Sequence, residues 1–159
     1  MRIFFALFLL AFAVIASPAE ARTVRYPEAG GPGVTIELPD TWTSFVSGVN
    51  LIIGDDTRTV GFSIYVGRAA PDFDAIATAV RAPGMSPLVR TEDVTIDGRV
   101  AAVYDATMTG NGNSLTLKTI MFELSDGHIA SITQLIGRDA SPEAIAASQA
   151  ALQSVRIVE

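Results

Sequence analysis

Two stretches, Val94-Thr-Ile-Asp-Gly-Arg-Val-Ala-Ala-Val-Tyr104 and Phe122-Glu-Leu-Ser-Asp-Gly-His-Ile-Ala130, decide the fold of this chain, because each places an Asp-Gly pair between apolar residues. Asp-Gly supplies the positive φ angles of a type I′ turn, so each stretch is predicted to form a hairpin with a two-residue turn. The first turn sets Val94 opposite Ala101. Joined by the glycine-rich segment 110–113, the hairpins predict a four-stranded antiparallel meander over roughly 88–137.

The strands of this meander carry apolar side chains on both faces. In the second strand, Ala101 and Val103 point to one side, while Ala102 and Tyr104 point to the other. The strand over 115–124 behaves in the same way. Strands that are apolar on both sides are central strands covered above and below, so further layers are expected to cover this sheet.

Two helices are predicted, one before the meander in the sequence and one after it. The first begins near Pro71 and Asp72, and its apolar stripe has the spacing i, i+3, i+4, i+7: Phe73, Ile76, Ala77 and Val80. The second has Ser141 as N-cap and Pro142 at its first position. Shorter strands are predicted at 34–38, 51–53, 62–66 and 155–157. The order predicts the α+β class, an antiparallel sheet with two main helices packed on it.

The N-terminal 21 residues are typical of a secretory signal peptide. Arg2 provides a positive start, Ile3–Ile15 is apolar throughout, and Ala19-Glu20-Ala21 is a small-x-small cleavage site. We therefore divide the chain into a leader, 1–21, and a single mature domain, 22–159. Cleavage after Ala21 predicts a periplasmic or secreted protein.

Composition excludes several classes of function. The chain has no cysteine, which rules out disulfides, thiol nucleophiles, thiolate metal sites and the lipid-modified cysteine of a lipoprotein. No stable membrane anchor is therefore expected after cleavage. A formal net charge of −6 and a pI near 4.7 argue against nucleic acid as a partner and against polybasic docking on anionic lipid.

No catalytic or metal-binding motif stands out in the sequence. Ser63 lacks the glycine pattern and the strand-to-helix turn of a hydrolase nucleophile, and the single histidine, His128, flanks the second Asp-Gly turn. The acidic pair Asp55-Asp56 lacks the pattern of a calcium loop and is interpreted as a solvated turn. We expect no catalytic residue, no metal ligand and no cofactor. Trp42 is interpreted as a core residue in preference to a platform on which a ligand stacks.

Three short motifs resemble those of a known family. They are the strand end Leu38-Pro-Asp-Thr-Trp42, the hairpin Val94–Tyr104, and a closing helix that leads into Ser154–Ile157. The chain resembles a bacterial exported member of the PsbP-like superfamily, which includes an extrinsic photosystem subunit and a small Ran-binding protein. The resemblance implies an α/β/α sandwich around an antiparallel sheet, a structural role for Trp42, and an accessory or binding function without catalysis. It carries no functional residue over to this chain.

We therefore expect an exported accessory or binding protein that acts through protein–protein or ligand contacts, with an unidentified protein partner in the cell envelope. The possible binding surface consists of Trp42, Phe45, Asp55 and Asp56, and exposed apolar residues are expected within 43–58. One alternative is a small hydrolase that uses carboxylates or Ser63 and His128. Another is a carrier that holds a small apolar ligand between the sheet and a helix, which requires a cavity of several hundred cubic ångströms.

Overall fold

The computed structural model describes residues 20–68, 72–110 and 112–159. Most of the predicted leader (1–19) and Pro71, part of the expected start of the first helix, lie outside these ranges. Within them, no helix has the length and apolar character needed to span a bilayer. The described elements are β1 (Ala21–Tyr26), β2 (Gly33–Pro39), β3 (Thr43–Ser47), β4 (Asn50–Gly54), β5 (Val60–Arg68), α1 (Phe73–Ala79), β6 (Val89–Ile96), β7 (Arg99–Gly110), β8 (Asn113–Glu123), β9 (His128–Gly137), α2 (Pro142–Gln153) and β10 (Arg156–Val158).

Seven strands form the main sheet, in the order β3-β4-β5-β9-β8-β7-β6, and every neighbouring pair is antiparallel. Strands β6 to β9 lie side by side in chain order. At the turn between β6 and β7, Asp97 and Gly98 have φ angles of 48° and 81°. Both are positive, as a type I′ turn requires. Val94 lies opposite Ala101, so the predicted register of this hairpin is confirmed.

The turn between β8 and β9 differs from the prediction. The N–H of Leu124 donates to the carbonyl of His128 at 2.7 Å, and the N–H of Gly127 donates to the carbonyl of Leu124 at 3.1 Å. Of the Asp-Gly pair, only Gly127 has a positive φ, 79°. The predicted two-residue turn is therefore wrong here. Pairing ends at Leu124 and His128, which leaves a three-residue loop with a glycine in the left-handed conformation.

A second sheet contains β1, β2 and β10, in the order β1-β2-β10. The sequence predicts one sheet, and it does not predict β1, where Arg22, Thr23 and Arg25 interrupt any apolar pattern. Val34, Ile36 and Leu38 form an apolar face of β2. Because this face is apolar, it is buried in one cluster with side chains of the main sheet. Asp97 links the two sheets by accepting the N–H of Ile157 at 2.7 Å.

The core face of the main sheet is the face that the second sheet and α2 cover. Ser141 caps α2 by accepting the N–H of Ala144 at 3.1 Å, and Pro142 occupies the first turn, as predicted. The large side chains that are buried on this face form one cluster with the apolar face of β2: Leu51, Ile53, Phe62, Ile64, Ile120, Phe122 and Ile132.

The opposite face is covered in part by α1 and the segment that follows it, and we call it the α1 face. Asp72 caps the helix by accepting the N–H of Ala75, and the helix ends before Val80, which is exposed. The helix therefore buries less of its predicted stripe than expected. Two small clusters lie beneath this cover: Ala77, Ala102, Tyr104 and Met121, then Met85, Ala106 and Leu117. The predicted α+β class is confirmed.

Candidate functional site

The β3–β4 hairpin exposes three large apolar side chains, which we call the hairpin patch: Phe45, Val46 and Val49. Their exposed fractions are 60%, 54% and 64%. The turn between the strands has two residues, and only the first of them, Gly48, has a positive φ, 60°. This is the type II′ geometry that suits the twist of an antiparallel hairpin. The turn places Val49 at the tip and Phe45 and Val46 on opposite faces of β3.

The core side of this hairpin is well anchored. Trp42, which precedes β3, is 6% exposed, and its ring centroid lies 6.2 Å from that of Phe62. Leu51 and Ile53 of β4 are buried in the same cluster. The interpretation of Trp42 as a core residue is therefore confirmed, and its indole does not form part of an exposed surface.

Two side chains from β1 tether the hairpin across the gap between the sheets. The guanidinium of Arg22 donates to the carbonyl of Trp42 at 2.8 Å and to Oγ of Ser44 at 3.2 Å. The hydroxyl of Tyr26 donates to the carbonyl of Val49 at 2.7 Å. Because the hairpin is held at both ends, its patch is preorganised, which lowers the entropy that a contact with a partner must overcome.

Asp55 closes the opposite end of the hairpin, where β4 leads into β5. Its side chain is 5% exposed and accepts hydrogen bonds from the N–H groups of Thr59 and Val60, at 2.7 and 3.1 Å, and from the hydroxyls of Thr57 and Thr59. Burial alone raises the pKa of this carboxyl, but the hydrogen bonds outweigh it and hold the pKa below its ordinary value. Asp55 is therefore an ionised structural group in a turn.

The four residues of the predicted binding surface do not form one surface. Phe45 lies in the hairpin patch, whereas Trp42 and Asp55 are buried for the structural reasons given above. Asp56 is exposed, but it lies at the end of β4 remote from the tip of the hairpin. Of the four, Phe45 is the exposed apolar side chain, and Val46 and Val49 are exposed near it at the same end of the hairpin, within the 43–58 segment where exposed apolar residues are expected.

The catalytic pair considered from sequence does not come together. In the pairing of β5 with β9, His128 lies opposite Arg68, five residues from Ser63, or about 17 Å along the strand. The two side chains also point to opposite faces, because strand positions alternate. His128 instead places Nδ1 2.6 Å from a carboxylate oxygen of Asp126. Within the described ranges, no three acidic, histidine or cysteine side chains are placed to hold a metal ion.

Two open clefts lie on the core face between α2 and strands β6 to β8. Their volumes are about 480 and 530 Å³, and Lys118 lines both of them. The ammonium of Lys118 lies 3.8 Å from a carboxylate oxygen of Glu92 and 3.7 Å from one of Asp105. This charged trio stands where an apolar ligand would have to lie. A charge next to apolar surface is costly to desolvate, so the clefts do not favour a carrier of apolar ligands.

No protein-family model and no curated protein sequence matches this chain. Among solved structures, it is similar to cyanobacterial PsbP (CyanoP) from Synechocystis sp. PCC 6803, with a TM-score of 0.55 and 12% identity over 94% of this chain and 99% of that one. The chain has a PsbP-like fold. The resemblance inferred from its three short motifs is thereby confirmed for the fold.

Two further solved structures are similar to this chain. LpqN, described as involved in cell envelope biogenesis of Mycobacterium tuberculosis, has a TM-score of 0.52 and 13% identity, over 87% of this chain and 92% of that one. A protein from Bacteroides thetaiotaomicron VPI-5482 has a TM-score of 0.52 and 12% identity over 79% of this chain. The chain spans 45% of the length of that larger protein.

Sequence reasoning did not identify Val46 and Val49, nor the tethers Arg22 and Tyr26. One signal for the patch was available, because the segment Thr41–Gly54 contains no charged side chain in a chain that is 18% charged. The tethers carried no local signal. They join residues twenty or more positions apart, and only the three-dimensional arrangement of the two sheets in this PsbP-like fold brings them together.

Proposed function

We propose that this chain is an exported, non-catalytic accessory protein that binds a protein partner through the hairpin patch. The observation that carries the proposal is the clustering of exposed apolar side chains. Among the described residues, six large hydrophobic side chains are exposed, and three of them lie within 45–49. Single exposed hydrophobic residues are common on protein surfaces, whereas grouped ones mark interaction sites.

The comparisons support the location and the class of function. LpqN is described as a protein of cell envelope biogenesis, and a periplasmic or secreted location for this chain agrees with its predicted leader. We therefore include in the proposal an accessory role in the cell envelope and removal of the leader by cleavage after Ala21. The version of the hydrolase alternative that uses Ser63 and His128 lacks the required geometry, which further favours binding over catalysis.

The layered arrangement implied by the PsbP-like resemblance suits such a role. We infer an α/β/α sandwich in which α1 and α2 lie on opposite faces of the seven-stranded sheet, supported by the separate clusters on the two faces. In this arrangement both helices lie away from β3. The hairpin patch therefore projects from one side of the sandwich, where a partner can reach it.

In-cell photo-crosslinking tests the proposal. A photoreactive side chain at position 45 is expected to give a discrete protein adduct. The same side chain at Val100, an exposed residue (66%) at the start of β7, is the matched control and is expected to give none. Protein recovered from the same cells is expected to begin at Arg22. Equal adduct patterns at positions 45 and 100 would remove the hairpin patch as the contact surface.

A further inference from the structure

Strand β3 is an edge of the seven-stranded sheet, and its outer side offers unpaired backbone groups. Ser47 and Asn50 flank the two-residue turn and form the first hydrogen-bonded pair, so the backbone of Phe45 also faces β4. The N–H and C=O groups of Ser44 and Val46 consequently point away from β4. Among the described residues, no strand pairs with them.

The other edge of the same sheet, β6, is protected in ways that β3 is not. It carries Arg90, Glu92 and Asp93, and its pairing with β7 is interrupted by a bulge between Arg90 and Glu92. Charged side chains and bulges are the usual means by which proteins prevent edge strands from pairing with other chains. Strand β3 is regular over Thr43–Ser47 and uncharged, so only one edge of this sheet is open to pairing.

We propose that β3 pairs antiparallel with β3 of a second copy of this chain, about a two-fold axis that passes beside Phe45. The inference rests on the proposed function, since it names a partner for the hairpin patch. Phe45 then lies opposite Phe45 of the second copy, and Ser44 lies opposite its Val46. The outward backbone groups of Ser44 and Val46 complete the pairing, and the two sheets become one continuous sheet.

Charge favours a second copy as the occupant. A two-fold axis brings each residue near its own counterpart, so any charged side chain on the axis would meet a like charge. Each copy carries a net charge of −6, yet the whole segment Thr41–Gly54 is uncharged. The strand that self-pairing brings together is thus uncharged, and a charge beside it is the guanidinium of Arg22, 3.2 Å from Oγ of Ser44. Since β6 is protected, β3 is the open edge of the seven-stranded sheet, and a two-fold contact between two such edges closes as a dimer and does not extend into a filament.

The proposed contact between the two β3 strands is small, so its measurement requires a method that detects weak dimers. Pairing of two five-residue strands buries less than the roughly 1,200–2,000 Å² of an ordinary stable interface. The dimer is therefore a weak one that exchanges with monomer. A trapping experiment is suited to this case, and the chain offers a clean background for it because it contains no cysteine.

Single cysteine substitutions in the full chain, expressed with its own leader, test the pairing and its register. Phe45→Cys places two sulfurs in a directly opposed, non-hydrogen-bonded pair, whose Cα atoms lie about 4.5 Å apart, within the range of a disulfide. Val46→Cys is the matched control, since its counterpart is a diagonal neighbour about 7–8 Å away. We expect a disulfide-linked dimer from Phe45→Cys and at least tenfold less from Val46→Cys. Equal yields, or none from Phe45→Cys, would overturn the proposal.

A charge exchange at the same position gives a second, independent readout. Phe45→Lys alone and Phe45→Glu alone are each expected to weaken dimerisation at least tenfold in sedimentation, because like charges then face each other. An equimolar mixture of the two variants is expected to dimerise again. Loss of dimer without recovery in the mixture would show that Phe45 does not meet its counterpart, and would overturn the two-fold register.

The experiments distinguish a failure of the self-pairing proposal from a failure of the proposed function. If Phe45→Cys forms no dimer while the photo-crosslinker at position 45 traps a different protein, the self-pairing proposal falls and the proposed function stands. If neither experiment gives a product at position 45, both fall. Val100 is the reference for the photo-crosslinking experiment, because it is exposed to a similar degree as Phe45 and lies on a different strand, and Val46→Cys is the reference for the disulfide.

Discussion

Asp55 carries the turn from β4 to β5, although its sequence context suggests only a solvated acidic pair. Its carboxylate accepts from two backbone N–H groups and two hydroxyls within the next five residues. The neighbouring Asp56 is exposed. Two adjacent aspartates thus have different roles, because the turn folds its N–H groups around one carboxylate and leaves the other in water.

Asp55→Asn is expected to destabilise the protein by about 2 kcal/mol, because a neutral amide replaces a carboxylate that accepts several buried hydrogen bonds. The matched control, Asp56→Asn, alters an exposed side chain and is expected to change the free energy of unfolding by less than about 0.5 kcal/mol. Urea titration followed by the fluorescence of Trp42, the single tryptophan, measures both. Equal effects of the two substitutions would contradict the structural role of Asp55.

Comparison of the wild type with Asp55→Asn also tests the sign of the pH dependence of stability. Because hydrogen bonds hold the folded pKa of Asp55 below its ordinary value, the stabilisation by its charge is fully present above the unfolded pKa of about 3.9. It is lost as the pH falls through the lower, folded value. The difference in unfolding free energy between the wild type and Asp55→Asn should be constant from about pH 7 to 5 and shrink below about pH 4. A difference that grows in acid would be inconsistent with a lowered pKa.

At the scale of single elements, sequence reasoning succeeded where a local pattern also decides the structure. Asp97-Gly98 forms the predicted two-residue turn, because the pairing of β6 with β7 ends at Ile96 and Arg99, which flank the Asp-Gly pair. Asp126-Gly127 has the same composition but lies in a longer loop, because the pairing of β8 with β9 ends elsewhere. Strand β3 was missed, since an exposed edge strand such as Thr43–Ser47 has no buried face and so no clear alternation.

Helix α1 illustrates a short element that a polar side-chain contact ties to the main sheet. It is seven residues long, too short to be stable by itself, and Ala77 is its buried residue. The hydroxyl of Tyr104 donates to a carboxylate oxygen of Asp74 at 2.8 Å and so joins the first turn to β7. Burial and this bond raise the pKa of Tyr104 to about 12, so the phenol keeps its proton well beyond neutral pH.

Tyr104→Phe is therefore expected to loosen α1 more than it changes the rest of the protein. Removing one hydrogen bond costs about 1 kcal/mol, and amide hydrogen exchange within Phe73–Ala79 should accelerate by about fivefold while the strands keep their protection. Tyr65→Phe, which removes the same atom from β5, is the control and should leave exchange in α1 unchanged. Uniform acceleration throughout the chain would show that Tyr104 supports the core as a whole and does not act as a tether.

At the scale of the whole molecule, the described residues form two sheets, and this division could not be predicted from the sequence. The strand at 34–38 was found from its alternation, but its partners were not, because β1 carries charged residues and β10 is only three residues long. The division of strands between sheets is set by contacts between distant segments, such as β2 with β10. The exposed character of the hairpin patch has the same origin: the second sheet covers the core side of the hairpin and leaves its outer edge free.

Net charge provides a test at the scale of the whole molecule. Two copies with a charge of −6 each repel one another at a distance, while the paired strands of the proposed contact carry no charged side chain. Salt screens that repulsion, because the Debye length falls from about 30 Å at 0.01 M to about 10 Å at 0.1 M ionic strength. Dimerisation measured by sedimentation is therefore expected to strengthen severalfold over this range and to level off above it. An association that weakens with salt would mean that opposite charges hold the copies together, which the uncharged β3 edge cannot provide.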